Sequence, residues 1–428
     1  MPAEACTAHA GRGSHATAAE LGEALLETGT FDVTGLHAEI VVDQPAIFGP
    51  FTGLTYAQIL QLFGQDGSVA NNFQDYRRSS GGDTSDNETG EYVLTLDYSG
   101  WDDLTLTSIT AFSAYKNGIQ IDIDIVGANL FAGSANEDYD QFSQELRLTS
   151  PSGGGFEWLA GIFYQTSDLA YFDSLLVNDT SILVPIIDTV AGPGTGMLVA
   201  NTGTPRYFDQ DTDTMALFGQ ATWRVSDRTS LTFGGRLSRD EKTAARMMTI
   251  TDIEGNPLPS EIDPFRQGLY QSLLNMTNHD LMGSRNETQF MPSFSTQYRV
   301  SEDTMAYLSY ARGSKSGGYD ARSNNAPEDC GTFEFGDEQA DALELGAKLS
   351  LADGRAELNL ALFHTEYDDL QVSTYDGMLG FNVSNAARAV SQGLEADGRW
   401  LATDRLLLSG SFAWTDFEFK DFQGQCWF

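Results

Sequence analysis

Residues that alternate between apolar and polar recur along most of this chain. In Thr229–Ser238 the side chains of Leu231, Phe233 and Leu237 share one face, while the opposite face is polar. A period of two residues indicates a β-strand with two unlike faces. The pattern predicts twelve strands in six hairpins, near residues 91–98, 104–116, 139–150, 156–172, 213–225, 229–241, 288–300, 303–313, 339–351, 355–367, 388–402 and 405–419.

Short polar turns and long polar loops alternate between these strands. Ser226-Asp227-Arg228, Ser301-Glu302-Asp303 and Thr403-Asp404 are short turns. The intervening loops have roughly 15 to 50 residues, and such a segregation of loop lengths is typical of a bacterial outer-membrane β-barrel with short periplasmic turns and long extracellular loops. The predicted fold class is therefore all-β, a transmembrane antiparallel barrel.

The polar face of the predicted strands carries charges in mid-strand, including Arg236, Glu344 and Glu395. A dry core cannot hold these charges, because an unpaired buried charge costs several kcal/mol. A water-filled lumen can hold them. A soluble antiparallel sheet with one solvated face would give the same alternation.

The tryptophans favour the membrane barrel over the soluble sheet. Trp101 lies in a short turn, and Trp158, Trp223 and Trp400 each lie three residues from one. Trp414 lies ten residues past the Thr403-Asp404 turn, and about ten residues is the span of a tilted membrane strand. These five rings are the predicted membrane-interface aromatics, in contact with outer-membrane lipid and lipopolysaccharide.

Composition narrows the function further. Asp and Glu number 61 against 24 Lys and Arg, which gives a net charge of −37. Nucleic-acid binding needs a basic face and is excluded on that ground. Solvated loops account for the acidity, and attraction of cationic or metal-bearing solutes is the alternative. The sequence contains no run of 18 or more apolar residues, so no transmembrane helix is predicted.

No catalytic constellation is found, so neither an enzyme nor a cofactor is expected. The five histidines have no metal-like spacing, and no nucleophile elbow, phosphate loop or zinc motif occurs. Asp209–Asp213 is predicted to be a solvated acidic loop, with calcium binding as the alternative. Of the three cysteines, Cys330 and Cys426 fall in predicted loops, where a disulfide is possible in an oxidising envelope.

The first 90 residues contain no alternating strand. Thr55–Phe63 predicts one short helix with Thr55 as its cap. Met1–Thr30 has no charged segment followed by an apolar one, so it is not a signal peptide. The start is therefore expected to be artificial, or the chain a fragment of a longer one. The expected division is a long loop or remnant over residues 1–90 and a partial barrel over residues 91–428.

Six segments together resemble the barrel of TonB-dependent outer-membrane receptors, over about residues 90 to 422. They are Phe142–Pro151, Trp158–Tyr164, Ala216–Lys242, Phe294–Tyr319, Glu344–Gln371 and Asn385–Asp397. The resemblance implies a 22-stranded barrel plugged by an N-terminal domain. It also implies active uptake of ferric siderophores, cobalamin, haem or glycans, driven by the TonB complex. The chain shows no TonB box, no plug-like segment and about ten fewer strands than that barrel.

The resemblance places ligand-facing aromatic and basic residues on long loops and in the upper lumen. Arg312, Lys315, Tyr319 and Arg322, in the loop after the 303–313 strand, match that description. They could hold an anionic ferric chelate or a glycan carboxylate, or could pair with nearby acids. The expected function is siderophore uptake by a TonB-dependent receptor. A passive porin-like channel, a soluble β-rich binding protein and a non-functional gene fragment are the alternatives.

Overall fold

The structure, a computed structural model, describes residues 50–67, 82–101, 104–122, 128–259, 263–329, 331–376 and 380–421. The three cysteines and the predicted disulfide between Cys330 and Cys426 lie outside these residues.

One antiparallel sheet contains twelve long strands in the order of the chain. They are β1 (Thr84–Trp101), β2 (Leu104–Asp122), β3 (Ala132–Thr149), β4 (Phe156–Val177), β6 (Arg206–Arg224), β7 (Thr229–Met248), β9 (His279–Arg299), β10 (Thr304–Lys315), β13 (Glu338–Leu351), β14 (Ala356–Tyr375), β15 (Phe381–Thr403) and β16 (Leu406–Phe419). Four two-residue strands lie between them: β5 (Thr202–Gly203), β8 (Thr251–Asp252), β11 (Gly318–Tyr319) and β12 (Glu334–Phe335). Within the described residues β1 and β16 form the two edges, and the sheet does not close.

The twelve predicted strands are confirmed, and their ends at the short turns are close to those predicted. The ends at the long loops were predicted too short: β9 begins at His279 and β7 continues to Met248. Asp209–Asp213, predicted to be an acidic loop, lies inside β6, so its alternate side chains point to opposite faces. These ends were missed because polar and apolar residues occur there on both faces, as with Arg246, Met247 and Met248 of β7, which removes the alternation.

One face of the sheet is an exposed apolar surface next to the short turns. Register places five large side chains directly opposite one another on consecutive strands, and all five are exposed. They are Leu146, Ile162, Leu217, Leu237 and Phe290. A second row contains Leu308, Leu345, Leu362, Leu394 and Trp414. We call this face the outer face and the opposite one the inner face.

The five tryptophans predicted at the membrane interface lie in long strands, and Trp158, Trp223, Trp400 and Trp414 share the outer face. Trp101, Trp223, Trp400 and Trp414 are exposed, and Trp158 is half-buried. Trp223 is paired with Phe156 and Leu231 beside the short turns. Trp414 instead ends the second apolar row, and the next outer-face residue along β16 is Asp416.

The inner face accommodates aromatic rings at glycine positions. The ring of Tyr307 lies over Gly346 of the neighbouring strand, and its hydroxyl donates a 2.6 Å hydrogen bond to Glu344. Phe218 covers Gly161 and Phe363 covers Gly393 in the same way. A Cβ at these glycines would collide with the rings, so glycine is what lets each ring lie flat against the wall.

The long loops form a core of buried apolar side chains at their end of the sheet, which we call the loop core. It includes helices α1 (Tyr56–Leu62), α2 (Leu183–Ala191) and α3 (Asp263–Leu274), with Leu60, Ile187 and Tyr270 among the buried side chains. The predicted helix is confirmed: Thr55 caps α1 in a capping box with Gln58. Among the described residues no helix is long and apolar enough to span a membrane.

Candidate functional site

Arg312 lies on the outer face, at the long-loop end of the apolar surface. Its Nε donates to Asp341 Oδ1 at 2.9 Å and its NH2 to Asp341 Oδ2 at 2.7 Å, while the hydroxyl of Tyr310 donates to the same carboxylate at 2.6 Å. This bidentate pair occupies the guanidinium. Arg312 is therefore held in an ion pair on the outer face of the sheet.

The other three predicted ligand residues lie at or in the connection between β10 and β13. We call residues 316–329 and 331–337 the inner loop. Lys315 is exposed at the end of β10, and the Arg322 side chain is exposed on the inner loop. Tyr319 is buried, with its ring against Gly283 of β9 and 4.9 Å from the ring of Phe333. The four predicted residues thus have different surroundings. Lys315 and Arg322 are the two whose charged side chains are exposed to solvent.

Basic side chains missed by the sequence reasoning hold the inner loop on the inner face. Arg246 of β7 is fully buried. Its Nε donates to His279 Nε2 at 3.1 Å, NH1 to the Asp320 carbonyl at 2.6 Å and NH2 to the Asn325 carbonyl at 2.8 Å. The guanidinium also lies 5.3 Å from the centre of the Phe333 ring. Burial lowers the pKa of Arg246 to about 10, which leaves it charged at neutral pH.

His279 completes this arrangement as a neutral acceptor. Because its Nε2 accepts from Arg246, its proton lies on Nδ1, which donates to the Thr277 carbonyl at 2.9 Å. Burial, reinforced by the charge of Arg246, lowers the pKa of His279 to about 4. His279 is therefore uncharged at neutral pH, as the hydrogen bond requires.

Three further cations contact the inner loop. Arg206 of β6 donates to the Arg322 carbonyl and to Asn324 Oδ1, and pairs with Asp173 at 2.6 Å. The other two cations also donate to loop carbonyls: Lys242 Nζ to Gly317 at 2.7 Å, and Arg285 NH1 to Phe335. Burial lowers the pKa of Lys242.

A signal for these cations was available in the sequence. Lys242 and Arg246 continue the polar parity of Arg236 and Ser238 along β7. The predicted strand ended at residue 241, so the alternation was not extended to Lys242 and Arg246.

Phenols and carboxylates line the neighbouring strands of the inner face. Tyr115 and Tyr139 stack with their ring centres 5.2 Å apart, and the Tyr115 hydroxyl donates to Glu137. Burial and this carboxylate raise the pKa of Tyr115 to about 12. On β4 the Tyr171 hydroxyl donates to Asp173 at 2.8 Å. Such a surface can bind a solute by stacking and hydrogen bonding.

A shallow groove of about 490 Å³ lies at the short-turn end of β14, β15 and β16. Its charged side chains are paired, since Arg399 NH2 lies 2.7 Å from Glu357 Oε1 and Asn359 Nδ2 donates to Asp397 at 2.9 Å. Ser409 and Ser411 provide hydroxyls there. Among the described residues no group of three His, Cys, Asp or Glu side chains is arranged to hold a metal ion.

Comparison with known proteins identifies the family to which this sheet belongs. The family model described as "TonB dependent receptor-like, beta-barrel" matches residues 41–425. The pesticin receptor of Yersinia enterocolitica is 26% identical over 189 residues, which cover 44% of this chain and 24% of that receptor. This chain thus aligns with about a quarter of the length of that relative.

Solved structures share the fold. The ferric yersiniabactin uptake receptor FyuA from Yersinia pestis superposes with a TM-score of 0.58 at 18% identity, covering 78% of this chain and 43% of FyuA. The siderophore receptor PiuA from Acinetobacter baumannii gives a TM-score of 0.55 at 16% identity, covering 80% and 48%. The family is one of outer-membrane receptors and transporters, not of enzymes. Strand order, exposed apolar face and family match agree, and the chain belongs to the TonB-dependent receptor-like β-barrel family.

Proposed function

We propose that this chain forms part of the wall of an outer-membrane receptor that takes up a scarce, large solute with energy from the TonB complex. The observation that carries the proposal is the contrast between the two faces next to the short turns. The outer face exposes rows of large apolar side chains such as Ile162 and Leu217, while the inner face carries ion pairs such as Arg224 with Glu157. Hydrocarbon outside and water inside account for this distribution.

Lipid contact is part of the same proposal. Trp101, Trp158, Trp223 and Trp400 at the short-turn end and Trp414 at the opposite limit of the apolar rows form the two interfacial belts. Tryptophan favours that position because its ring is apolar and its N–H can reach water. Lipopolysaccharide would then surround the long-loop halves of the strands.

The solute we propose is a ferric siderophore, and a glycan carboxylate is the other anion considered. FyuA is a ferric yersiniabactin uptake receptor and PiuA a siderophore receptor. In this chain Arg322 and Lys315 offer exposed positive charge near the inner loop, and the Tyr115–Tyr139 stack offers an aromatic surface. An anionic chelate with aromatic groups matches both features.

Uptake of radioactive iron tests the proposal. The full-length receptor whose wall contains this chain is expressed in an iron-starved strain without its own siderophore receptors, and one ferric catecholate and one ferric hydroxamate serve as probes. We expect uptake of at least one probe, and loss of that uptake when TonB is deleted. The double variant Arg322→Ala, Lys315→Ala is expected to reduce uptake about tenfold, because two charge-assisted contacts are lost.

Arg312→Ala is the matched control, because Arg312 is an outer-face residue bound to Asp341. It should take up iron like the unsubstituted protein. Uptake that persists without TonB would instead support a passive porin-like channel. Absence of uptake of either probe, in protein that is present in the outer membrane, would refute the siderophore proposal.

A further inference from the structure

The inner loop joins two parts of the sheet that are far apart. The Asp320 carbonyl accepts the 2.6 Å bond from Arg246 on β7, and Asp320 Oδ2 accepts a 2.8 Å bond from the Val383 amide on β15. Four strands, β9, β10, β13 and β14, lie between β7 and β15 in the sheet. A single residue of the loop thus connects strands that are not neighbours in the sheet.

Further hydrogen bonds repeat this connection. Asn324 Oδ1 accepts from Arg206 on β6 at 2.9 Å, and the hydroxyl of Ser323 donates to Asn382 on β15 at 2.7 Å. On the same side as β15, Gln371 Nε2 donates to the Ser316 and Gly336 carbonyls, each at 3.0 Å. The loop is held on both sides, and not only at its two ends.

Burial shows how closely the loop is seated. Asp320 is 2% exposed and Ser323 is fully buried, although both are polar loop residues. Asp320 Oδ1 accepts from the amides of Arg322 and Ser323, while Oδ2 also accepts from Thr332. Its carboxylate thereby organises the loop internally as well as fixing it to β15.

Apolar contacts also hold the inner loop against the inner face of the sheet, between these hydrogen bonds. Tyr319 and Phe333 of the loop pack with Phe208 of β6 and Ala244 of β7 in one buried cluster. Gly283 leaves room for the Tyr319 ring against the backbone of β9. Lifting the loop would expose this cluster and leave the Arg246 guanidinium without its two loop acceptors, and each such loss is unfavourable.

We infer that the inner loop is a permanent brace across the inside of the sheet, with Asp320 as its hub, and that it does not open as a lid. The inference concerns the loop alone and holds whatever solute the proposed receptor carries. Because the brace keeps Tyr319 buried, Tyr319 cannot contact a solute. Lys315 and Arg322 are then the residues of this region that can.

Thiol accessibility tests the brace. Ser323→Cys is introduced into a chain whose Cys6, Cys330 and Cys426 are changed to serine, and the detergent-solubilised protein is treated with a maleimide. Glu328→Cys, at an exposed position of the same loop, gives the reference rate. We expect Cys at position 323 to react about 100-fold more slowly, because labelling requires the loop to detach. Similar rates at both positions would overturn the inference.

Asp320→Asn tests the hub: both carboxylate oxygens of Asp320 accept hydrogen bonds, and the NH2 group that replaces one of them can only donate. Labelling at position 323 should become about tenfold faster, whereas Asp329→Asn in the same loop should leave it unchanged. An unchanged rate in Asp320→Asn would refute the role of Asp320. Addition of a ferric catecholate should not accelerate labelling, and acceleration would indicate a lid.

Hydrogen exchange on the unsubstituted chain gives a measurement that needs no variant. Amides of residues 318–325 should exchange as slowly as those of the adjoining ends of β7 and β15. Exchange as fast as that of an exposed loop would contradict the brace even if every variant misfolded. Iron uptake is a separate measurement, so failure of the brace and failure of the transport proposal can be told apart.

Discussion

The two halves of a single strand carry different side chains on the same face. On β4 the outer face carries Ile162 in the half near the short turn and Asp168 six residues further on, about 20 Å along the strand. Asp168 lies directly opposite Asp140 and Asp211. A hydrogen bond shared with the Asp211 carboxyl raises the pKa of Asp168. The same face therefore changes from apolar to acidic, as expected where a strand leaves hydrocarbon for water.

The comparison teaches that a strand can be continuous while its environment is not. In the short-turn half, one face is apolar and the other is polar, so the residues alternate. In the long-loop half the outer face carries carboxylates such as Asp168. Cohesion there comes from the inner loop and from the loop core that contains Leu60 and Tyr270.

The largest expected effect is that of Leu237→Arg on the outer face of β7. Leu237 lies between Leu217 and Phe290 in the first apolar row. A charge at mid-membrane on the lipid face costs about 2 to 4 kcal/mol, so the free energy of unfolding in lipid vesicles should fall by about that amount. Denaturant titration followed by tryptophan fluorescence measures it.

Thr243→Arg, on the same face and strand, is the matched control. Thr243 is exposed and its hydroxyl faces Asp211, so a cation there should change stability by less than about 0.5 kcal/mol. Equal losses in the two variants would show that the two halves of β7 have the same surroundings.

Arg246→Met should have the next largest effect, on the inner face of the long-loop half. It leaves the Asp320 and Asn325 carbonyls without their donor, and we expect a loss of about 2 kcal/mol in the free energy of unfolding. Arg239→Met removes an exposed pair with Glu241 from the outer face of the same strand and should cost at most about 1 kcal/mol. If the order of the two losses is reversed, the inner loop does not stabilise this half.

Gly346→Ala tests the inner face of the short-turn half. The added methyl group would meet the Tyr307 ring, and overpacking of this kind costs about 1 to 2 kcal/mol. Gly410→Ala is the control, because open space surrounds Gly410. Equal stability of the two variants, measured by denaturant titration, would mean that the ring is free to move away.

The smallest expected effect is a pH dependence confined to the long-loop half. The pKa of His279 is lowered to about 4 in the folded state, against about 6.5 when unfolded. The unfolded state therefore binds the proton more readily, so stability is fully present above about pH 6.5 and is lost as the pH falls toward 4. From pH 7 to pH 6 the loss should be under about 1 kcal/mol.

His279→Gln should flatten this dependence, because glutamine does not titrate and its amide oxygen can still accept a hydrogen bond. A slope that survives in His279→Gln would assign the pH dependence to other groups.

Local signals explain what the sequence could predict. The twelve strands follow from alternation, and α1 follows from a capping box within four residues. Arg246 and Asp320 are 74 residues apart, and no period or motif joins them. The predicted ligand residues were grouped by sequence proximity. However, Arg312 lies on the outer face of β10, whereas the inner loop folds Tyr319 against Phe208 and Ala244 on the inner face.

The small core under the long loops has a consequence for the order of folding. Each hairpin pairs neighbouring segments, so it can form from local contacts soon after those segments meet. The loop core instead joins Ala57 of α1 to Ala128, Val177, Ile250 and Met276, residues that are separated by more than two hundred positions at the extremes. Because such contacts must wait for the intervening hairpins, the long-loop end should be the last part of the molecule to become protected when it folds.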